Sequence, residues 1–328
     1  MPLLRINATA NGLILPETPQ PIRNRLFQLA THPGPAIIMI HGYKYAPGIQ
    51  GHCPHQKLFG DTQYSWPRAL GFGTDTEEEG LGIALGWYAR GTIKGAHKRA
   101  MELGESLAII VALLHKYAPQ KPVHLIGHSL GAETVLSALP YLPAGAVDRI
   151  ILLAGASHAA RAARLLATPA GRAADVLNMT SRENDLFDAA FERVVPNPEG
   201  HRGAIGDGIT APNALNIQID CPDTLDGLET LGFGIAPTQK NVCHSSTYKR
   251  DGVMGLYHRF LRHPSDLTFA TLARVLPHTQ SPRWSRLKQA SRAAFTFPQI
   301  TLPQAAQSVG LAQNVPSKLR RPKNEPAY

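Results

Sequence analysis

The 328-residue sequence has few cysteines and no long apolar run. No stretch of about 18 consecutive apolar residues is present, so we predict no membrane-spanning helix. Residues 1–7 lack the basic start and apolar core of a secretory signal peptide. The three cysteines, Cys53, Cys221 and Cys243, have no paired spacing, which argues against a disulfide framework and favours a reducing compartment. We therefore expect a soluble, cytoplasmic protein.

The basic charge of the chain is concentrated at one end. The net charge is +9, but residues 281–328 alone carry eight basic residues and one acidic residue, so the rest of the chain is close to neutral. From residue 277 onward proline, glutamine and basic residues follow without clear periodicity, apart from a short helical pattern at 284–295. We predict a disordered basic tail over 277–328 that contacts anionic surfaces, and no specific nucleic-acid partner.

The remaining 276 residues alternate strand and helix patterns, which is typical of an α/β domain with a mainly parallel sheet covered by helices on both faces. A residue content that is 43% hydrophobic allows a large core. The patterns predict strands at 3–15 (broken at Asn11-Gly12), 36–40, 81–88, 123–126, 149–156, 174–180 and 214–220, and helices at 94–117, 130–139, 159–166 and 253–262. The strand at 214–220 and one or two strands within 3–15 are expected at edges of the sheet.

Two irregular segments interrupt this alternation. Residues 44–80 are long, polar and rich in glycine, with one short helical candidate at 66–70, and residues 186–212 are also rich in loops. Long loops of this kind are usually functional or mobile. We predict that they act as lids, and no large cap domain is expected because only one helix fits between the strands at 149–156 and 174–180.

The most informative stretch is Gly127-His128-Ser129-Leu130-Gly131, where a buried strand breaks and a helix follows. A strand that passes into a helix across one residue forces that residue into a tight turn, and small neighbours two positions away prevent a collision. Such a turn lifts the Ser129 hydroxyl above the sheet and leaves the backbone N–H of Leu130 near a helix N-terminus. The alternative is a glycine-lined turn with a capping serine.

This motif, together with His41-Gly42 after the buried strand 36–40 and an acid and a histidine after later strands, resembles the α/β-hydrolase superfamily over residues 36–262. The two short motifs are similar to those of lipases and esterases. The resemblance implies a nucleophile, an acid and a base in the order Ser, Asp, His. It also implies an ester substrate. Because the fold itself hosts many chemistries, the ester is inferred from the similarity to lipases and esterases and not from the fold.

The resemblance assigns the remaining roles residue by residue. Asp185 follows the strand at 174–180 and is the expected acid, with Glu183 and Asp188 as competitors; the alternative for Asp185 is a helix cap. His244, on a loop after the last strand, is the expected base. Tyr43 would add a second backbone N–H beside that of Leu130 for the oxyanion, and His128 is expected to pack beside the turn.

These assignments predict a serine hydrolase that cleaves a small-molecule carboxylic ester through an acyl-enzyme on Ser129, without a cofactor or metal. The rate should fall as His244 protonates near about pH 6 to 7. His52-Cys53-Pro54-His55 offers an alternative as metal ligands, but no second cluster completes a tetrahedral set. Two other functions stay open: an acyltransferase with the same triad, and a non-catalytic binding protein whose basic tail docks on anionic partners.

Overall fold

A computed structural model describes residues 3–74, 76–197, 200, 203–277 and 279–288. Its described strands form one eight-stranded sheet, in the spatial order β2-β1-β4-β3-β5-β6-β7-β8. β1 and β2 pair antiparallel, and every other pair of neighbours is parallel. The strands are β1 (Leu3–Thr9), β2 (Gly12–Ile14), β3 (Ala36–Ile40), β4 (Leu81–Trp87), β5 (Val123–His128), β6 (Arg149–Leu153), β7 (Asp175–Thr180) and β8 (Ala214–Gln218).

The described part of the chain contains twelve α-helices, several of a single turn. Some of them connect the strands, and the last four follow β8. They are α1 (Ile22–Leu29), α2 (Pro54–Lys57), α3 (Trp66–Ala69), α4 (Ile93–Tyr117), α5 (Leu130–Ala138), α6 (Ala159–Leu166), α7 (Pro169–Ala173), α8 (Asp185–Val194), α9 (Pro222–Thr230), α10 (Ser246–Lys249), α11 (Val253–Arg262) and α12 (Phe269–Val275). Short 3₁₀ turns lie at Leu139–Tyr141, Arg182–Asn184 and Ile205–Asp207.

The sheet separates two apolar cores. Alternate residues of β3 point to opposite faces, so Ile38 and Ile40 pack in one core while Ile37 and Met39 pack in the other. Side chains of α1, α4, α5 and α6 complete the first core, and those of α3, α9, α11 and α12 complete the second. The prediction of a mainly parallel sheet with helices on both faces is confirmed.

The predicted strands agree with the structure to within a few residues, and β8 is an edge strand as expected. The main difference is at the N-terminus, where the sequence predicts edge strands. Only β2 lies at the edge, because β1 pairs in parallel with β4 from Leu3 to Ala8. β2 begins at the end of the turn between them with Gly12, whose φ of 103° suits glycine.

Residues 44–80 pack into the body of the protein to a greater extent than a lid would. Phe59, Trp66, Leu70 and Phe72 from this segment are buried in the second core. His55, one of the metal-ligand candidates, instead contacts the side-chain oxygen of Asn7 through Nε2 at 2.7 Å. These buried side chains hold the segment against the sheet, and its action as a lid stays a prediction.

The start of the predicted tail also contacts the body. Arg283 forms ion pairs with Glu192 and Asp207, at 2.9 and 3.0 Å, and Gln280 donates a hydrogen bond to the backbone carbonyl of Asn216. Residues 279–288 thus make contacts with the domain, and disorder of the tail from residue 277 stays a prediction. The rest of the predicted tail, with most of the helical pattern at 284–295, lies outside the described residues.

The sequence predicts neither a disulfide framework nor a membrane-spanning helix. All three cysteines are free. Within the part of the chain that the structure covers, no helix combines the length and apolar character that crossing a bilayer requires.

Candidate active site

Ser129 occupies the predicted turn between β5 and α5, with φ of 54° and ψ of −120°. A positive φ is strained for any residue with a Cβ, and such strain is concentrated at functional sites. The turn is anchored by its backbone: the Ser129 N–H donates to Leu153, and the Ser129 carbonyl accepts from Ala132 and Ala156 at 2.9 to 3.0 Å. The side chain is therefore presented by a rigid frame.

The two glycines of the motif are required by close backbone contacts. A Cβ on Gly127 would lie 2.5 Å from the carbonyl oxygen of Gly131, and one on Gly131 would lie 2.4 Å from that of Ile40. Neither side chain can be accommodated without moving backbone. The expectation that small residues keep the strand and the helix apart is confirmed.

The loop after β3 lies directly against Ser129. β3 and β5 are neighbours, with Ile40 paired to Gly127, and a Cβ on Gly42 would lie only 2.6 Å from the Cβ of Ser129. Tyr43 follows, and its hydroxyl donates to the carbonyl of Gly91. The two backbone N–H groups expected to bind an oxyanion are those of Leu130 and Tyr43. They therefore follow neighbouring parallel strands, at the carboxyl ends of those strands.

His41 holds this loop in place through contacts inside the protein. Its ring is fully buried and stacks on Trp87, with a centroid distance of 5.6 Å. Nε2 accepts the Trp87 backbone N–H at 3.1 Å, so Nδ1 carries the proton that is donated to the Gly42 carbonyl at 2.9 Å. Burial lowers the pKa of His41 to about 3, which keeps this neutral tautomer.

His244 reaches the serine turn through His128. The Nε2–H of His128 donates to the backbone carbonyl of His244 at 2.9 Å, and the two rings lie 4.7 Å apart. On its other side the His244 ring stacks on Phe187, with a centroid distance of 4.5 Å. The structure thus brings the predicted base next to the residue that precedes Ser129, and His128 packs beside the turn as expected.

The partner of His244 Nδ1 differs from the sequence prediction. It is Asn184, whose Oδ1 lies 2.6 Å away, and the Asn184 Nδ2–H donates to Asp188 Oδ1 at 2.9 Å. Asp185, the expected acid, instead accepts from the Arg182 guanidinium at 3.1 Å and from the Trp284 backbone N–H at 2.6 Å. Asp185 is the first residue of α8, one position after Asn184. Its carboxylate therefore points to those donors and not to the loop that carries His244.

The two competing acids also have defined contacts. The Glu183 carboxylate binds Arg250 and the Thr238 hydroxyl, and the Glu183 backbone carbonyl accepts the Cys243 N–H at 2.9 Å. Glu183 therefore helps to hold the loop that carries His244. Asp188 is connected to that histidine only through Asn184.

Asn184 is the site residue that the sequence reasoning missed. Asn184 lies in the polar run Ser181–Asp185 among charged residues. Its side chain is a neutral amide, whereas a triad usually has a carboxylate in this position. The spacing from Asn184 to Asp188 was the available signal, because positions four apart at the start of a helix share one face.

The surroundings of His244 disfavour its protonated form. Burial, followed by the positive fields of His128 and Lys44, lowers the pKa of His244 well below its ordinary value. Burial raises the pKa of Asp188 to about 7. The His244 ring is therefore uncharged at neutral pH, and its Nδ1 partner is an amide and not a carboxylate.

Comparison with known proteins gives only distant similarities. No protein-family model matches the sequence, and no curated protein does. Among solved structures, a Trichoderma reesei cutinase in complex with a phosphonate inhibitor matches with 15% identity and a TM-score of 0.25, over 41% of this chain and 60% of the cutinase. An acetylxylan esterase and the catalytic core of the Trichoderma reesei acetyl xylan esterase match with 11% and 12% identity and TM-scores of 0.35 and 0.31. Each of these two matches covers 75% of this chain and all of the other.

Proposed function

We propose that this protein is a serine hydrolase that cleaves carboxylic esters through an acyl-enzyme on Ser129. The observation that carries the proposal is the strained turn at Ser129, with φ of 54°, beside which His128 donates to the His244 backbone carbonyl and packs 4.7 Å from the His244 ring. A serine hydroxyl is a poor nucleophile, so a base close to such a turn is the arrangement that activates it.

In the proposed acylation, His244 Nε2 takes the Ser129 proton as Oγ attacks the ester carbonyl. The carbonyl π electrons move to the oxygen, and the N–H groups of Leu130 and Tyr43 stabilise the oxyanion, by about 3 kcal/mol each. Collapse of this intermediate breaks the C–O bond to the alcohol. The imidazolium returns its proton to the leaving alkoxide, so an alcohol departs and Ser129 is acylated.

Deacylation repeats these steps with water. His244 removes a proton from water as its oxygen attacks the acyl carbonyl, and the proton then goes to Ser129 Oγ as the acid is released. In both steps Asn184 Oδ1 accepts the Nδ1–H of His244. That contact holds the ring with Nε2 free to accept a proton, the same role that an asparagine has in papain-like proteases.

Exposed apolar side chains next to His244 favour an apolar group in the substrate. Leu186 and Phe187, at the start of α8, are 46% and 42% exposed, and Val242, two residues before His244, is 39% exposed. Phe187 contacts the His244 ring directly. Burial of such side chains against a ligand is favourable at about 25 cal/mol per Å², so we propose that Phe187 contacts the acyl chain or the alcohol of the ester.

A fluorophosphonate probe tests the proposed nucleophile. Wild-type protein should be labelled at Ser129, as located by peptide mass spectrometry, and should hydrolyse p-nitrophenyl esters. Ser129→Ala should abolish both, while Ser106→Ala, on α4, should retain both. Labelling at another residue, or hydrolysis that survives Ser129→Ala, would contradict the proposal.

The same assay distinguishes the alternative functions. If added alcohol captures the acyl group faster than water does, the protein is an acyltransferase on the same nucleophile. If no labelling occurs and salt-sensitive binding to anionic vesicles disappears on removal of residues 289–328, the chain is a binding protein.

A further inference from the structure

Three side chains form a continuous hydrogen-bonded row behind the proposed catalytic base. His244 Nδ1 lies 2.6 Å from Asn184 Oδ1, and Asn184 Nδ2 lies 2.9 Å from Asp188 Oδ1. Asn184 and Asp188 are both buried. The row therefore connects His244 to a carboxyl group that does not touch it.

An asparagine in this position can act in two opposite ways. With Oδ1 toward the ring it accepts the Nδ1–H of His244, which leaves Nε2 unprotonated and able to take the Ser129 proton. With the amide turned over, its NH₂ group donates to Nδ1, and the ring proton moves to Nε2. That tautomer cannot deprotonate serine, and in a serine protease triad it lowers kcat by about 10⁴-fold.

Asp188 removes the second arrangement. Above its raised pKa of about 7 the Asp188 carboxylate is ionised and only accepts hydrogen bonds, so an amide that turned its oxygen toward it would place two acceptors against each other in a buried site. The Asp188 side chain is itself held in place, because the Gly206 backbone leaves no room beside it: a Cβ there would lie 2.0 Å from Asp188 Oδ2. The direction of the Asn184 amide is thereby fixed.

The charged groups around the row come from several elements. Arg283, in the segment after α12, faces Asp188 and favours its ionised form, whereas Asp185 on α8 and Asp207 on the 3₁₀ turn Ile205–Asp207 oppose it. His244 faces His128 at the end of β5 and Lys44 in the loop after β3.

We propose that Asp188 is a positioning residue: by accepting the Asn184 amide hydrogen it holds Asn184 Oδ1 toward His244 and so sets the tautomer of the base. The inference rests on the proposed serine hydrolase function. It assigns a purpose to a buried carboxyl four residues beyond the asparagine, where a helix places both on one face.

The test compares Asp188→Asn with the exchanged pair Asn184→Asp/Asp188→Asn. In Asp188→Asn the new amide both donates and accepts, so Asn184 is free to turn over; kcat should fall by at least about 10-fold with KM unchanged, since Asp188 does not reach the substrate. In the double variant a carboxylate at 184 accepts from His244 in either orientation, and kcat should return to within about 10-fold of wild type. Glu192→Gln, one turn further along α8, is the matched control and should keep the wild-type kcat.

A second measurement does not depend on these variants folding. The ¹⁵N chemical shifts of the His244 ring in labelled wild-type protein should show Nδ1 protonated and Nε2 unprotonated above about pH 8, where Asp188 is ionised. A wild-type ring protonated at Nε2, an unchanged kcat in Asp188→Asn, or a double variant no better than the single one would overturn the proposal. Absence of Ser129 labelling in wild-type protein would instead overturn the proposed function.

Discussion

Asn184 Oδ1 lies 2.6 Å from His244 Nδ1, in the place where the sequence predicts a carboxylate from Asp185. The two residues come from distant parts of the chain, one directly after β7 and the other in the loop before α10. An uncharged partner orients the ring but adds little electrostatic stabilisation to an imidazolium.

Asn184→Ala should impair catalysis more than Asp185→Asn. The alanine removes the acceptor for Nδ1–H, so kcat/KM should fall by roughly 10²- to 10⁴-fold, the range set by losing a properly oriented base. Asp185→Asn keeps a side chain that accepts from Arg182 and Trp284, and should lose less than about 10-fold. Steady-state hydrolysis of a p-nitrophenyl ester measures both; the reverse order would restore Asp185 as the acid.

Ester hydrolysis should persist to lower pH than an unperturbed histidine allows. The reaction needs neutral His244, and the pKa of this residue is lowered by burial, His128 and Lys44. As pH falls, the base form is therefore retained until below about pH 6, the region where an ordinary histidine protonates. The profile of kcat/KM against pH measures this.

The same profile should change in Asn184→Asp. A carboxylate beside the ring favours the imidazolium, so the acidic limb should move to higher pH. An acidic limb that does not move, in a variant that is still labelled at Ser129, would show that residue 184 does not contact the base.

Gly42→Ala should reduce labelling of Ser129 with little change in the overall fold. The added methyl would lie 2.6 Å from the Ser129 Cβ and 2.8 Å from the His128 carbonyl oxygen, so the loop carrying Tyr43 must move. We expect a fall of about 10²-fold or more in kcat/KM, the amount associated with losing one oxyanion donor. Gly234→Ala is the control, because a Cβ there meets nothing within 4 Å. Equal activity of both variants would mean that the loop does not take part.

Phe187→Ala should alter substrate preference. If Phe187 contacts an apolar part of the ester, its removal should lower kcat/KM for long-chain or aromatic esters by about 30-fold more than for acetate, since a buried aromatic ring contributes about 2 kcal/mol. Val194→Ala, at the other end of α8 and also exposed, should leave the preference unchanged. A uniform loss over all esters would indicate that Phe187 only supports the His244 ring.

The protein should lose stability steeply in mild acid. Burial lowers the pKa of both His41 and His124 to about 3. In the unfolded chain they bind protons below about pH 6.5, whereas in the folded protein they do not. Stability is therefore greatest above pH 6.5 and falls as pH decreases, by roughly 2 kcal/mol per histidine between pH 6.5 and 5.

Urea unfolding at several pH values measures this effect. His124→Leu should reduce the slope of the unfolding free energy against pH, by up to the equivalent of one proton, while His32→Gln at an exposed position should not. Equal slopes for wild type and His124→Leu would contradict the prediction.

The sequence was informative where local chemistry determines local structure. β3 is an uninterrupted apolar run, and the turn at Ser129 is marked by two glycines whose absence of side chains is required by backbone contacts. These features need no knowledge of the rest of the chain. The same holds for the helices on both sides of the sheet, since their periodicity is local.

Features that depend on distant contacts were not predictable in this way. The aromatic residues of 44–80 are spaced without a period, so their burial in the second core is visible only in three dimensions. Asn184 meets His244 across 60 residues of sequence, and nothing local distinguishes it from the neighbouring Glu183 and Asp185. The expectation of a carboxylate therefore favoured Asp185, whereas Asn184 makes the contact with His244 Nδ1.

The contacts of residues 279–288 determine where a recombinant version of this protein should end. A chain shortened to residue 276 would look complete by its sequence pattern. It would nevertheless remove Arg283, the partner of Glu192 and Asp207, and the Trp284 N–H that binds Asp185, leaving carboxylates at both ends of α8 without these donors. Expression plasmids should retain at least residue 288, and an affinity tag is better placed after residue 328 than at that boundary.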